Sequence, residues 1–229
     1  MAMEKNYRHE YKYLISDADA QLLRLRLPHV MKRDSHAGAS GQYTIRSLYF
    51  DSPHYEAFHD KVSGIDPRIK YRIRCYDYDK SLFRLEKKEK RGALTRKTGQ
   101  TLTAADVEHI QLHPTERCPD TQGGLVEELR LACMGQGLRP KVLVDYDRTP
   151  FICAAGNTRI TLDENLRTAP YFNTMEGPTK AMSPILEAQQ VILEVKFDDY
   201  LPGYLADAIA DIPKIPMAIS KFAMCLNLT

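Results

Sequence analysis

Three basic residues at alternate positions of one predicted strand could bind an anion. Lys70, Arg72 and Arg74 lie in the segment IKYRIRCY. Because successive side chains of a strand point to opposite faces, the three cations share one face and the residues between them share the other. Ammonium and guanidinium groups pair with anionic oxygens. The spacing therefore predicts an anion-binding face.

Four further segments alternate between charged and apolar side chains, and they comprise residues 7–14, 81–90, 141–151 and 191–197. A solvated antiparallel strand also carries polar side chains on one face, which is the simpler interpretation of each segment taken alone. Lysine and arginine dominate these faces, however. If the faces converge inside a closed barrel, a bound polyanion or metal-bridged carboxylates must offset the repulsion among the cations.

Length and composition indicate a single soluble domain over residues 1–229. The formal net charge is only +2, so anion affinity must come from the placement of the cations and not from their total. No segment is apolar over the length of a signal peptide core or a membrane span, which predicts a cytoplasmic protein. The five cysteines form no CxxC pair, which argues against a disulfide framework and a structural zinc site.

Tyrosines interleave with the basic residues, as they do in stacking platforms for nucleic acids. Tyr71 lies on the face opposite Arg72 and Arg74, whereas Tyr76 and Tyr78 are predicted to share the basic face beyond its cluster. Base stacking by Tyr71 and phosphate contacts by the arginines then fall on different sides of the sheet. We therefore expect no nucleic-acid partner.

Antiparallel strands with helices packed outside them are the predicted architecture, an α+β fold that is mainly β. Ser16 is a predicted N-cap with Asp17 and Asp19 in the first helical turn, Thr103 a second N-cap and Ser220 a third. The predicted strands are the segments above together with 43–50 and 157–163, and the predicted helices follow Ser16 and the 51–53 turn and cover 103–109, 125–134, 203–210 and 221–228. Residues 92–100 and 168–184 are predicted loops.

Ordered motifs along nearly the whole chain match a known family. They are YRHEYKY, SLYFDSP, KYRIRCY, RLEKKEKRG, VDYDRTPF, RITLDENLR, ILEVKFD and ISKF. The chain resembles the VTC (vacuolar transporter chaperone) domain of polyphosphate polymerases, a branch of the triphosphate tunnel metalloenzyme, or CYTH-like, superfamily. The resemblance implies an eight-stranded β-tunnel, a closed barrel with a basic interior and helices outside.

The resemblance also implies the roles of individual residues. Glu194 is the expected ligand of Mn²⁺ or Mg²⁺, and Glu10 and Glu86 either join it or pair with a tunnel lysine. The expected catalytic residues are Arg72, Arg74, Lys88, Arg148 and Lys221. The expected phosphate-binding residues are Lys12, Lys70, Arg72, Arg74, Lys88, Lys97, Tyr146, Arg148, Lys196, Ser220 and Lys221.

The first-strand motif departs from the ExExK form of the superfamily, because Arg8, Glu10 and Lys12 stand at its three defining positions. The missing first glutamate argues against a direct transfer of the hydrolytic mechanism, in which first-strand carboxylates help to hold the metal. Asp51 and Asp163 are predicted to be turn and strand-end residues, and the histidines show no recurring metal-ligand spacing.

Three functions follow from the resemblance. The favoured one is an ATP-dependent, metal-dependent polyphosphate polymerase, with ATP, pyrophosphate and polyphosphate as its partners and with a separate membrane protein for any export of product. The second is a hydrolase of triphosphate or polyphosphate. The third is a polyphosphate-binding domain without catalytic activity.

Overall fold

The computed structural model describes residues 8–92, 94–170, 175, 182–187, 189–213, 215–216 and 219–226. Its strands are β1 His9–Ser16, β2 Lys32–Arg33, β3 Tyr43–Asp51, β4 Arg68–Tyr76, β5 Phe83–Arg91, β6 Leu94–Leu102, β7 Arg139–Cys153, β8 Thr158–Pro170, β9 Ser183–Pro184, β10 Gln190–Phe197 and β11 Ile215–Pro216. Its helices are α1 Asp17–Arg26, α2 Glu56–Val62, α3 Ala104–Leu112, α4 Gly124–Gly135, α5 Gly203–Ala208 and α6 Lys221–Leu226.

All the strands belong to one antiparallel sheet. Their order is β11-β1-β10-β8-β7-β3-β4-β5-β6, and the short strands β2 and β9 pair with β7 and β8. Eight of these strands are long, and the three of two residues each add only short pairings. The predicted α+β class with mainly antiparallel strands is confirmed.

The sheet curls strongly but is not closed by backbone hydrogen bonds. Over the described ranges, no ladder joins β6 to β1 or β11. Side chains nevertheless reach across the gap, since the Lys88 ammonium on β5 lies 3.2 Å from the Glu10 carboxylate on β1. The closed barrel is therefore not confirmed. Alternation along each strand specifies which side chains share a face, whereas closure depends on how far the whole sheet twists.

The outer face of the sheet is apolar and carries four helices. Helices α1 and α5 pack Leu23 and Leu205 against β8 and β10, and α3 and α4 pack Val107 and Leu129 against β4 and β5. These helices lie outside the sheet, as predicted. Among the described helices, none is long and apolar enough to cross a membrane.

Helix α6 corrects the prediction that the helices pack outside. It lies on the inner face, the face that carries the alternating charges, where the Phe222 ring lies 5.1 Å from the Tyr49 ring. Phe222 and Cys225 are buried with inner-face residues of β3, β7 and β10. The inner face thus combines an apolar patch under α6 with charged residues beyond it.

Two predicted loops are partly strands. Residues 92–100, predicted as a basic loop, largely form β6, whose residues at 96–99 are exposed. This strand escaped prediction because it lies at the edge of the sheet and has no apolar face along most of its length. Residues 168–170 belong to β8, and 183–184 form β9; residues 171–174 and 176–181 of the same predicted loop lie outside the described residues.

Helix caps and helix positions agree closely with the sequence. The Ser16 hydroxyl accepts a hydrogen bond from the Asp19 backbone N–H at 3.1 Å. Thr103 and Asp106 form a reciprocal capping box at the start of α3. The Ser220 hydroxyl accepts from the Ala223 N–H at 3.4 Å and so caps α6. The predicted end of that helix, at 227–228, lies outside the described residues.

Candidate functional site

The sheet brings the predicted phosphate-binding side chains to one inner face. They lie on β1, β4, β5, β6, β7 and β10 and on α6, and the contacts of all except Lys70 and Tyr146 define two neighbouring groups. Their roles in binding stay predictions. The residues are Lys12, Lys70, Arg72, Arg74, Lys88, Lys97, Tyr146, Arg148, Lys196 and Lys221.

One group surrounds a single buried carboxylate, and we call it the Glu86 cluster; it comprises Glu86, Arg72, Arg74, Lys97 and Tyr49. The Arg72 guanidinium donates to Glu86 at 2.8 Å and to the Tyr49 hydroxyl at 2.9 Å. Arg74 lies 3.9 Å from Glu86, and Lys97 pairs with the other carboxylate oxygen. These cations outweigh the effect of burial and hold the pKa of Glu86 far below its usual range.

The second group, the Glu194 cluster, contains more carboxylates. It comprises the acids Glu10, Asp163 and Glu194 and the cations Lys12, Lys88, Arg148, Lys196 and Lys221. Within it, Glu194 lies 3.0 Å from the Lys196 ammonium, 3.2 Å from Arg148 and 3.5 Å from Lys12. Burial would raise the pKa of Glu194, but the three cations outweigh it and hold that pKa well below its usual range.

Asp163 is a central member of the Glu194 cluster that the sequence did not reveal. The Arg148 guanidinium donates to both carboxylate oxygens of Asp163, at 2.6 and 2.7 Å, and the Lys221 ammonium lies 2.7 Å from Asp163. The prediction that Asp163 is a strand-end residue is wrong, because β8 continues to Pro170. The missed signal is alternation: Asp163 opposes Arg148 in the ladder and so shares its face.

Asp51 does behave as predicted, since it accepts backbone N–H bonds at the turn into α2.

Tyr146 joins the two clusters. Arg74 of the Glu86 cluster donates to the Tyr146 hydroxyl at 3.2 Å. From the other side, the Lys221 ammonium lies 4.7 Å and the Arg148 guanidinium 5.3 Å from the centre of the Tyr146 ring. Cations over an aromatic face are stabilised by the ring quadrupole. A linear anion lying along this face could therefore contact both clusters without a break between them.

Lys70 stands at the edge of this arrangement, over the Phe222 ring at 4.7 Å. Burial lowers the pKa of Lys70 to about 7, and the positive charges of Lys61 and Arg68 add to that effect. An anion at this position would favour the protonated ammonium. The ring contact holds the lysine on the inner face, as its alternation with Arg72 predicts.

Ser220 differs from the other predicted phosphate contacts. Its hydroxyl caps α6, and the following residue, Lys221, reaches Asp163. The geometry thus gives Ser220 a structural part in placing Lys221, whereas a direct phosphate contact stays a prediction.

The residues around Glu194 fit a divalent metal. Lys12 pairs with both Glu10 and Glu194, at 2.9 and 3.5 Å, so these two carboxylates are neighbours. Over the described ranges, no group of three or more His, Cys, Asp or Glu is arranged to hold a metal ion. Mg²⁺ often takes only one or two carboxylates and completes its shell with water and substrate phosphates. Two neighbouring glutamates suit that pattern, whereas Glu86 is the one carboxylate of its cluster, which favours an ion-pair role for that residue.

Arg8 lies away from the cations of both clusters. Its guanidinium pairs with Asp198 at 3.0 Å and donates to the Asn157 carbonyl. Arg8 therefore stands where the ExExK form has its first glutamate, and its contacts are with the loops beside β1. Glu10 is left as the acid that this motif contributes.

Tyr78 corrects the expectation that it shares the basic face. Asp77 and Tyr78 have φ angles of 48° and 58°, so the chain turns after β4 ends at Tyr76. The Arg46 guanidinium lies 4.5 Å from the Tyr78 ring centre, and the Tyr78 hydroxyl donates to Asp145 at 3.1 Å. Arg46 and Asp145 alternate with the inner-face residues Ser47 and Tyr146, which places Tyr78 on the outer side.

Comparison with known proteins identifies the family of the chain and structures with a similar fold. The family model for the VTC domain matches residues 7–229. The comparison with curated proteins gives no match. Among solved structures, a putative adenylate cyclase from Bacillus halodurans has a TM-score of 0.54 at 15% identity, covering 93% of this chain and 94% of its own.

Two further structures are similar over almost the full length. A putative adenylyl cyclase from Hippeastrum, described as having a dominant triphosphatase activity, has a TM-score of 0.54 at 14% identity and covers 96% of this chain and 95% of its own. The PH1819 protein from Pyrococcus horikoshii has a TM-score of 0.50 at 12% identity, with coverages of 97% and 100%. At such low identity these likenesses show a shared fold alone.

Proposed function

Because the chain belongs to the VTC domain family, we propose that it is an ATP-dependent, metal-dependent polyphosphate polymerase, which transfers the γ-phosphoryl group of ATP onto a growing polyphosphate chain. The observation that carries the proposal is the continuous line of cations on the inner face, in which Tyr146 joins the two clusters. Such a line suits a substrate whose negative charge is repeated along its length.

Phosphoryl transfer between phosphates needs positioning and charge neutralisation more than a protein nucleophile. A terminal oxygen of the acceptor chain attacks the γ-phosphorus of ATP. The bond between that phosphorus and the β–γ bridging oxygen breaks, and its electron pair leaves with ADP. Arg72, Arg74 and Arg148 can hold phosphate oxygens with two N–H groups at once, while Lys88 and Lys221 act as point charges.

In the structure these cations are paired with carboxylates. The Glu86 cluster and the Glu194 cluster each hold two more cations than carboxylates, as shown by their ion pairs. The carboxylates reduce mutual repulsion among the cations and keep them in place, and an entering polyphosphate exchanges with them as the counter-charge. A divalent metal held by Glu194 and Glu10 would supply further neutralisation of phosphate oxygens.

Hydrolysis of triphosphate is the second candidate, and the neighbouring carboxylates Glu10 and Glu194 favour it. Such a pair would hold a divalent metal, which would supply the activation of a water for in-line attack. Against it stands Arg8, which replaces an acid with a cation paired to Asp198. The described triphosphatase activity belongs to the Hippeastrum protein and serves here only to motivate the assay.

To test the proposal, the purified chain is incubated with ATP and Mn²⁺ or Mg²⁺, with and without pyrophosphate as primer. Polyphosphate is then resolved on a gel, and free phosphate is measured in the same samples. We expect long chains that need both ATP and metal. Free phosphate without chains would favour the hydrolase, and tight polyphosphate binding without turnover would leave a binding domain.

A matched pair of variants separates the two clusters. Glu194→Gln should reduce chain synthesis about a hundredfold, because it removes the main expected metal ligand. Glu86→Gln should retain the metal dependence. Equal metal dependence in both variants would contradict the assignment of the metal to Glu194.

The cytoplasmic location and a separate membrane partner stay predictions.

A further inference from the structure

The inner face of β8 continues beyond the Glu194 cluster. Asp163, Thr161 and Arg159 lie at alternate positions of this strand, while Ile160 and Leu162 between them are buried in the outer core. Alternation therefore places the three polar side chains in one row on the inner face. In the ladder, Thr161 opposes Glu194 and Arg159 opposes Lys196. The row thus leads directly away from the candidate metal site.

Two polar atoms in this row are buried without a partner. Among the residues that the structure describes, Thr161 Oγ1 and Arg159 Nε have no hydrogen-bond partner although both atoms are shielded from solvent. A buried donor that is left unsatisfied destabilises the folded chain. Such atoms are uncommon in folded proteins and call for an explanation, such as an ion or water that fills the site. Two such donors at neighbouring positions of the same face could bind one shared acceptor.

The neighbours of the row indicate the charge of that acceptor. Lys196 and Arg159 oppose each other across β10 and β8, and opposed residues in an antiparallel pair have Cβ atoms roughly 4.5–5.5 Å apart. A second guanidinium nitrogen of Arg159 donates to Asp34 and to the Tyr43 hydroxyl, each at 2.9 Å. Although Thr161 also opposes Glu194, the two donors without a partner and the two cations beside them fit an anionic oxygen, which would share Lys196 with Glu194.

We propose that Thr161 and Arg159 form an additional subsite for a phosphate unit of a long polyphosphate chain, adjoining the Glu194 cluster. The inference rests on the proposed function and specifies its substrate: a chain longer than triphosphate gains contacts that triphosphate does not reach. The Thr161 hydroxyl and the Arg159 Nε–H donate to phosphate oxygens, and Lys196 adds charge.

Asp34 limits the strength of this subsite. Its carboxylate accepts from the backbone N–H and the Nδ1 of His36, at 3.0 and 2.8 Å, as well as from Arg159. Asp34 therefore competes with phosphate for the guanidinium. If the pair were only a structural link between β8 and the segment after β2, removal of either partner would have the same consequence. A phosphate subsite predicts opposite consequences.

The test compares the affinities of inorganic triphosphate and of a longer polyphosphate of defined length by calorimetry, without nucleotide or metal. Arg159→Gln should weaken binding of the long chain about tenfold, the size expected for one charge-assisted hydrogen bond, and leave triphosphate within about twofold. Thr161→Val, which preserves side-chain volume, should weaken the long chain about threefold. Asp34→Asn should strengthen it.

Arg26→Gln is the control, because Arg26 pairs with Asp211 away from the inner face. An unchanged ratio of the two affinities in Arg159→Gln and Thr161→Val would overturn the subsite, as would a loss in Asp34→Asn that equals the loss in Arg159→Gln. Failure of chain synthesis alone would refute the polymerase and not the subsite, since the measurement needs no turnover. Absence of binding of both anions by the unchanged chain would refute both.

Discussion

The two clusters of the inner face differ in how carboxylates reduce the repulsion among their cations. In the Glu86 cluster one carboxylate serves three cations, two of them arginines. In the Glu194 cluster three carboxylates are distributed among five cations, four of them lysines. Each cluster keeps an excess of two positive charges, yet only the second has neighbouring carboxylates that fit a metal. The comparison separates a region that we propose binds phosphates from one that we propose also holds the metal.

The largest expected difference between the clusters concerns stability. Arg148→Met removes the partner that grips Asp163 and contacts Glu194, and both acids are buried. Asp163 then keeps Lys221, and Glu194 keeps Lys12 and Lys196, so we expect a loss of about 3 kcal/mol, the low end for breaking a buried ion pair. Arg72→Met should cost about 1–2 kcal/mol, because Glu86 keeps Arg74 and Lys97 as partners. Urea denaturation at neutral pH measures both free energies of unfolding. Equal losses would show that the number of carboxylates does not distinguish the clusters.

The next prediction concerns the pH dependence of the Glu86 cluster. Partial desolvation of the half-exposed Lys97 side chain, together with the charges of Arg72 and Arg74, outweighs the pairing with Glu86 and lowers the pKa of Lys97 to about 8. Lys97 is therefore charged below that pH and loses its charge as the pH rises through it. We expect the affinity for triphosphate to fall between about pH 7 and pH 9, because one cation is lost.

Lys97→Arg is the matched variant for this prediction, since a guanidinium keeps its charge over the whole range. Its affinity should fall less steeply with pH than that of the unchanged chain. The measurement is calorimetric titration with triphosphate at several pH values and constant ionic strength. Identical slopes for the two proteins would assign the pH dependence to another group, such as Lys70.

The smallest expected effect concerns the helix that supplies Lys221 to the Glu194 cluster. Ser220→Ala removes the cap of α6 and should lower the free energy of unfolding by about 1 kcal/mol. Ser16→Ala removes the equivalent cap of α1, on the outer face, at a similar cost. Thermal unfolding and chain synthesis are measured on both. Only Ser220→Ala should reduce synthesis, severalfold; an equal reduction in both variants would mean that stability alone limits activity.

Local patterns in the sequence were sufficient for much of the fold. The caps at Ser16 and Thr103 are confirmed because a hydroxyl and the backbone N–H three residues later form a local hydrogen bond. The inner-face placement of Arg72, Arg74 and Arg148 is confirmed because strand alternation needs no knowledge of the partner strand. Edge strand β6 could not be predicted, since its exposed charges leave little apolar signal.

The sequence by itself determined the antiparallel α+β class, the faces on which the cations lie and the family to which the chain belongs. The tertiary structure alone decided that the sheet curls without a closing ladder, that α6 packs inside it and that Asp163 meets Lys221. It also decided which of Glu10, Glu86 and Glu194 are neighbours. The physical reason is the sequence separation of the interacting residues. Alternation and capping act over a few residues, whereas ion pairing across the inner face depends on how strands distant in sequence are brought together.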